Sequence, residues 1–473
     1  MKVDRPKVKT EDRHRPSYKK RRLCRILAIL FVIFALLIWS LPYVASTTAV
    51  RKIVEKTVDF IIFGHIKIDE ISLRWTEPCR ISGIKVHDTS GREILQINSV
   101  ICSQGLWQIL TSPNDFGKIK ISNPKINLYM SKDGEISLIH TFSRLKPSKK
   151  PISKLIGRIE MINGTIYLHR YDGKIYCMRG IDGEFDLKIP NQASGRISWA
   201  SATAYDLTID RSEIGFRYHD KRIDIPLSVI PASGGKFRIA GIVDMHSATP
   251  MLQITKPLQL MENIPINVDF GNDFISRIIA VFYNVDRLTG RVSLMVSDLL
   301  LPIGKEILHT GKGQGRLILK DVKVQISGLL SELIKLGGAV PQGLTSMKVS
   351  DLDFKINNGK VYYDDLSIIT ANVFEMRFSG WVGFDDRIDM RVSLPVIPRE
   401  LERLLAKASP GKVLDKAGLG MISEIWGTVP VLGKRMTEIR IVGTRSEPRL
   451  ALSEILKPLF KPAVPIPSIP LLR

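Results

Sequence analysis

Eight histidines, His14, His65, His87, His140, His169, His219, His246 and His309, are the first residues to question for catalysis or metal binding. They are scattered, with no HExxH and no close Cys/His set, so the spacing points to no metal site. Two acidic pairs, Asp364-Asp365 and Asp385-Asp386, have the residue types for acid/base work or Ca²⁺. Both read as solvated hairpin ends. Gly311, Gly313 and Gly315 in "GKGQGR" lead into "LILKDVKVQI", a strand pattern, so the helix N-terminus of a dinucleotide site is missing. No GxxxxGK[ST] or GxSxG occurs. Asn163-Gly164-Thr165 is formally a glycosylation sequon, better read as a turn. Four cysteines, Cys24, Cys79, Cys102 and Cys177, are too few for a disulfide scaffold. Cys79 and Cys102 could bridge neighbouring strands, but spacing does not decide it. Trp75, Trp107, Trp381 and Trp426 could line a lipid path, although core packing is the commoner fate of tryptophan. No catalytic, cofactor-binding or metal residue is assigned, no cofactor is expected, and lipid-binding positions stay open. The reading is of a protein that is not an enzyme.

The elements that would hold such residues repeat one pattern. In "ISGIKVHDTSGREIL" (81–95), Ile84 and Val86 alternate with polar neighbours, a turn Asp88–Gly91 follows, and Leu95 and Ile97 resume the alternation. This predicts a half-buried hairpin. Similar period-two runs are Ile126, Leu128, Met130; Phe185, Leu187, Ile189; Leu352, Phe354, Ile356; and Ile388, Met390, Val392, Leu394, Val396. A phase slip between Ile68 and Ile71 predicts a bulge near Glu70. Asp133-Gly134, Asn163-Gly164, Asp172-Gly173 and Asn358-Gly359 supply hairpin-turn signals. Segments 117–138, 157–177 and 346–368 resemble one another as two short strands, a polar break and a Gly turn, which suggests a stacked array. Helical patterns interrupt at 272–285, 329–338 and 398–409, where they could plug or cap an open sheet.

Charge and hydropathy give the chain a direction. The 473 residues carry a formal net charge of +22, and 44% are apolar, a globular composition. A basic body suits an anionic partner such as a lipid headgroup or nucleic acid. Residues 1–25 form a basic tail, and 26–46 are uncharged, long enough to cross a bilayer. Trp39 and Tyr43 sit at one end of that run and "YKKRRLCR" flanks the other, which keeps the N-terminus cytoplasmic and exports the rest. A cleaved signal peptide with processing near Val44 and Ser46 is the competing reading. A nucleic-acid role for the basic tail is set aside, because juxtamembrane basic clusters usually serve topology and lipid contact. Residues 47–63 read as an amphipathic exit helix stopped at Gly64. The divisions that follow are 64–190, 191–310, 311–455 and a Pro-rich tail 456–473.

The order of parts resembles AsmA-like proteins of Gram-negative bacteria, relatives of the TamB group. Pro78, Ile81, Ile84, Val86, Asp88 and Gly91 fit the family's opening strand pair. Leu106–Leu110 fit its short helix, and Ile119, Ile121, Pro124, Ile126 and Leu128 its next strand. Gly359, Gly380, Asp385 and Pro448 fall at matching turns of the C-terminal region. The likeness covers roughly 25–180 and 310–455, and 180–310 matches nothing. It implies a mainly β fold: one N-terminal transmembrane helix, then a long curled antiparallel sheet forming a groove with an apolar concave face, and a few short capping helices. It also implies an inner-membrane-anchored, periplasmic protein that binds or conducts phospholipids between membranes and supports outer-membrane integrity, with an outer-membrane or lipid-transfer protein as a further partner and no nucleic acid. A scaffold for assembling outer-membrane proteins is the alternative.

Overall fold

The structure, a computed structural model, describes residues 31–34, 36, 39–132, 135–144, 155–190, 192–247, 249–283, 285–340, 343–370, 374–396 and 436–451. The basic tail, the expected helix 398–409, Asp133-Gly134, Trp426 and the Pro-rich tail lie outside these residues. The fold is mainly β, and all 25 strands belong to one sheet. Six pairs of consecutive short strands each share a row, Gly64–Lys67 with Glu70–Ser72 being the first, so the sheet has nineteen rows. At ~4.8 Å per row its contour is on the order of 90 Å. Among the described residues no pairing joins the last strand, Pro448–Leu450, to the first.

Rows follow one another in chain order and are antiparallel with one exception. Asp115–Ser122 and Lys125–Tyr129 both lie parallel to Leu155–His169. A parallel neighbour needs a crossover, and the helix Ser137–Phe142 falls in the chain between the two rows. The expected antiparallel sheet is found, with this one parallel row as the departure from it.

Local chemistry explains most of the strand ends. The opening hairpin is Cys79–Asp88 and Glu93–Cys102. Asp88 accepts from the backbone N–H of Ser90 at 2.9 Å and of Arg92 at 3.0 Å, and from Arg92 Nε at 2.9 Å. Burial works against its charge, but these bonds outweigh burial and hold its carboxyl below the usual range. Asn358 and Gly359 both take positive φ, as a tight two-residue turn requires. The predicted slip near Glu70 is a real break between two short strands. Two turn expectations are corrected. Asn163-Gly164 lies inside the strand Leu155–His169 as a bulge, because Asn163 at positive φ serves a bulge as well as a turn. Asp364-Asp365 is likewise a bulge within Lys360–Thr370.

The helices also differ from their sequence patterns. The exit helix is Thr48–Ile61, and Gly64 does not stop it but begins the first strand. A Cβ at Gly64 would lie 2.2 Å from the His87 carbonyl oxygen, so glycine is needed for close strand approach. The segment 272–285 is not one helix. It holds the end of Val268–Asp273 and two short 3₁₀ turns, Ile275–Arg277 and Ala280–Phe282. Its Ile- and Val-rich run is buried on every side, which favours packing over helical regularity. This segment and the helix Gly328–Leu336 pack with the strands between Leu207 and Ile441 into one large core. They cover a face of the sheet instead of capping its ends.

No single described helix is long and apolar enough to cross a membrane. A bent pair, Phe31–Ala45 and Thr48–Ile61, passes by length and composition, with 63° between the two helices.

Candidate functional site

Strand alternation puts every second side chain on one face, and register then decides what each row adds to that face. Ile81 opposes Val100, Val100 opposes Ile121, and Ile121 opposes Met161. The series continues through Ile159 and Phe185, then Ile197 and Ile214. Tyr218, Ile223, Val243, Leu252 and Leu301 carry it on. Further along, Leu294, Leu317 and Leu352 align, as do Phe378, Val392 and Ile439. A single apolar ladder therefore runs from the third strand to the last rows, although bulges shift the register six times or more along the way.

The other face of the early rows is charged. Lys120, Glu160, Glu184 and Arg196 oppose one another in turn. Ion pairs Lys118–Glu160 (2.5 Å) and Arg158–Asp186 (2.7 Å) lie along it.

What covers the ladder differs between its two halves. From about row Leu258–Ile266 onward, the protein covers it: Val292, Leu317, Leu352, Val382, Met390, Val392 and Ile439 are all buried. In the first half, Val100, Ile119, Ile121, Ile159, Met161, Phe185, Leu187, Ile197 and Phe216 remain half-buried. Phe185 and Phe216 lie side by side over Gly195, their ring centroids 6.0 Å apart; a Cβ there would sit 2.6 Å from Phe216 and 2.7 Å from Phe185. Glycine lets both rings lie down on the sheet, widening the smooth apolar surface.

The boundary between the halves is pinned by partly buried polar contacts. Arg170, in the turn after Leu155–His169, pairs with Asp273 and reaches Tyr176 Oη at 3.1 Å. Lys174 pairs with Asp269 at 2.5 Å. Burial opposes the charged form of Arg170, yet Asp273 more than offsets it, so the guanidinium holds its proton more tightly than usual. Burial, then the neighbouring Tyr176, pushes the Tyr205 phenol above its ordinary range. Asn267 accepts from Phe270 N at 2.9 Å, and its amide donates to the Tyr205 carbonyl. At the other end, buried Arg445 donates to Ser276 Oγ at 2.6 Å and to Asp386 Oδ1 from Nε at 3.0 Å. Residues 267–283 are thus a plug tied to both halves of the sheet.

The residues singled out from sequence find varied places. Among the described residues no group of three His, Cys, Asp or Glu side chains is arranged to hold a metal. Cys79 and Cys102 stand directly opposite in register, with free thiols. Trp381 lies on the outward face with Lys360 3.7 Å above its ring. Trp75 packs edge-to-face on Trp107 at 6.3 Å. Neither pair is part of the ladder. Buried Trp199 is, next to Ile181 and Ala202. No protein-family model matches this chain. A search of curated proteins also finds no match. The site is therefore read from its geometry alone: a long one-sided apolar surface.

Proposed function

We propose that this chain is a membrane-anchored AsmA-like envelope protein whose curled sheet presents the first half of the apolar ladder to phospholipid acyl chains, binding or conducting them between the inner and outer membranes. It acts without catalysis, from the periplasmic side of the inner membrane, and supports outer-membrane integrity. The observation that carries the reading is the contrast in cover. The ladder is continuous, but only its second half lies under the large core; in the first half Ile181, Trp199 and Ala202 form a small buried cluster while Ile159, Phe185, Ile197 and their neighbours stay half-buried. Leaving Phe185, Ile159 and their neighbours half-wet costs about 25 cal/mol per Å² of apolar surface, which an acyl chain laid on them would recover. In this reading the groove that the resemblance implied is open along its first half, and the plug marks its inner limit.

Native mass spectrometry of mildly extracted protein tests the proposal, with co-purifying phospholipid as the expected result. A photocrosslinker at Ile159 should label acyl chains, and one at the outward neighbour Arg158 should not. Val392 is unsuited to this experiment because the protein's own core buries it. Lipid-free protein with equal labelling at both positions would end the reading. An assembly scaffold is the second reading. One observation favours it: among the described residues the strand Pro448–Leu450 has a neighbour on one side only, so its other edge is open to a partner strand. Crosslinks dominated by one protein, with no acyl labelling, would select it.

A further inference from the structure

We propose that the membrane-proximal end of the sheet carries a second membrane contact: a seat formed by the Trp75 loop, the short helix Leu106–Thr111 and the outward stripe of the exit helix, resting in the headgroup layer of the leaflet from which the chain emerges. The inference rests on the anchored reading above and adds where the body of the protein sits.

The deciding contact is Trp75 Nε1 donating to the Trp39 carbonyl oxygen at 3.1 Å. Trp39 lies six residues before Ala45, where the first helix ends, or roughly 9 Å back along its axis at 1.5 Å per residue. The loop therefore descends beside the last turns of the membrane helix. Leu73 N also bonds Ser46 Oγ at 3.0 Å. The short helix is bound to this loop by two backbone bonds, Leu106 N to Arg74 O at 2.8 Å and Trp107 N to Trp75 O at 3.1 Å. So Trp107 and Leu110 are carried down with Trp75, yet they are 60% and 62% exposed. Large apolar side chains held at interfacial depth and left mostly uncovered by protein fit the aromatic belt of a bilayer.

The exit helix agrees. Its carboxylates face the protein: Glu55 accepts from Ile68 N at 2.9 Å and Asp59 from Ile66 N at 2.7 Å, which covers the first strand's open edge. Its other side exposes Ile53 and Phe60, Phe60 by 84%, beside exposed Lys52 and Lys56. An apolar stripe flanked by lysines suits an anionic membrane surface. With 63° between the helices, a membrane-helix tilt of about 27° lays the exit helix flat, inside the ordinary range.

Tryptophan quenching tests the seat. The full chain is reconstituted in vesicles of phosphatidylcholine and phosphatidylglycerol, with plain or dibrominated acyl chains, as wild type, Trp107→Phe and Trp39→Phe. If Trp39, Trp75 and Trp107 all reach lipid, Trp107→Phe lowers the bromine-quenchable intensity by roughly a third. Unchanged quenching in Trp107→Phe, with a fall in Trp39→Phe, overturns the seat and leaves the anchor standing. No change in either variant removes the anchor reading and the seat with it. Protection of Trp107 accompanied by a crosslinked dimer assigns the patch to a second copy of the chain and also overturns the proposal. Leu110→Ser supplies an independent arm: it should red-shift the tryptophan emission and lower the bromine quenching together, without lowering the protein's resistance to urea, and unchanged emission and quenching would overturn the seat.

Discussion

Phe185 and Phe378 make a matched experiment. Both lie on the apolar ladder, and both oppose a partner row in register, Ile159 for one and Val392 for the other. Phe378 is 1% exposed beneath the protein's own core. Phe185 is half-buried beside Phe216. Phe378→Ala removes a ring from a filled interior, and the expected loss is about 3–5 kcal/mol, transfer and cavity together. Phe185 surrenders only part of its area to other protein atoms. Full burial of such a side chain is worth roughly 1.5–3 kcal/mol, so Phe185→Ala should cost about 1–2 kcal/mol. Urea-dependent proteolysis of the detergent-solubilised chain measures both, and native mass spectrometry of the same samples counts bound phospholipid. Phe378→Ala should lower the urea midpoint steeply and leave lipid per folded molecule unchanged. Phe185→Ala should lower the midpoint by less than half as much and reduce the lipid retained. Equal destabilisation by the two substitutions would show that the first half of the ladder is as well filled as the second, and the reasoning from cover would fail.

Other outcomes follow from single contacts. Arg445→Met should destabilise the chain by about 1–3 kcal/mol by stranding its hydrogen-bond partners on the plug, and Arg445→Lys should not restore the loss, since lysine lacks the planar fork that reaches Asp386 and Ser276 together; urea midpoints of the three chains decide it. Asp88 has a folded pKa below its unfolded value, so its contribution is present above about pH 4 and disappears as pH falls through the folded value; an acid titration of stability should therefore be flatter below pH 4 in Asp88→Asn than in wild type, and identical slopes would contradict the turn described. Cys79 and Cys102 are opposed, and directly opposed residues have Cα atoms about 4.5–5.5 Å apart, within disulfide reach; mild copper–phenanthroline oxidation should join them within one chain, and peptide mapping that finds Cys177 joined instead would mean the hairpin register is wrong.

Much of this fold is legible in the residues, for a physical reason. Strands such as Arg387–Pro395 alternate cleanly because one face is buried and the other wet, and Ile388, Met390, Val392 and Leu394 announce that directly. The Asp88 and Asn358-Gly359 turns are equally plain, since few residues accept their backbone angles. Asn163-Gly164 misleads because a bulge and a turn ask the same of the backbone, and only the partner strand distinguishes them. The plug misleads in another way: the apolar spacing of 272–285 suits a helix, but what sets its conformation is burial on all sides by strands distant in sequence. The parallel row could not be read at all, because strand direction leaves no mark on the alternation. For the candidate site, sequence located the apolar ladder yet could not tell which half would be covered, as cover comes from the tertiary placement of 267–283. The Trp75–Trp39 contact was hidden likewise, although the tryptophans themselves were visible.

Neighbours in the chain are neighbours in the sheet almost throughout, and this orders the steps by which the molecule can be built. A polypeptide emerging N-terminus first can add each row to the one before it, with little search and little loop closure. Only the crossover before Leu155 must wait for a strand to swing round. Asp273 cannot meet Arg170 until a hundred further residues have been released, and Arg445 locks Ser276 only near the end. The greasy early rows are therefore complete, and still uncovered, well before the late ones are shut.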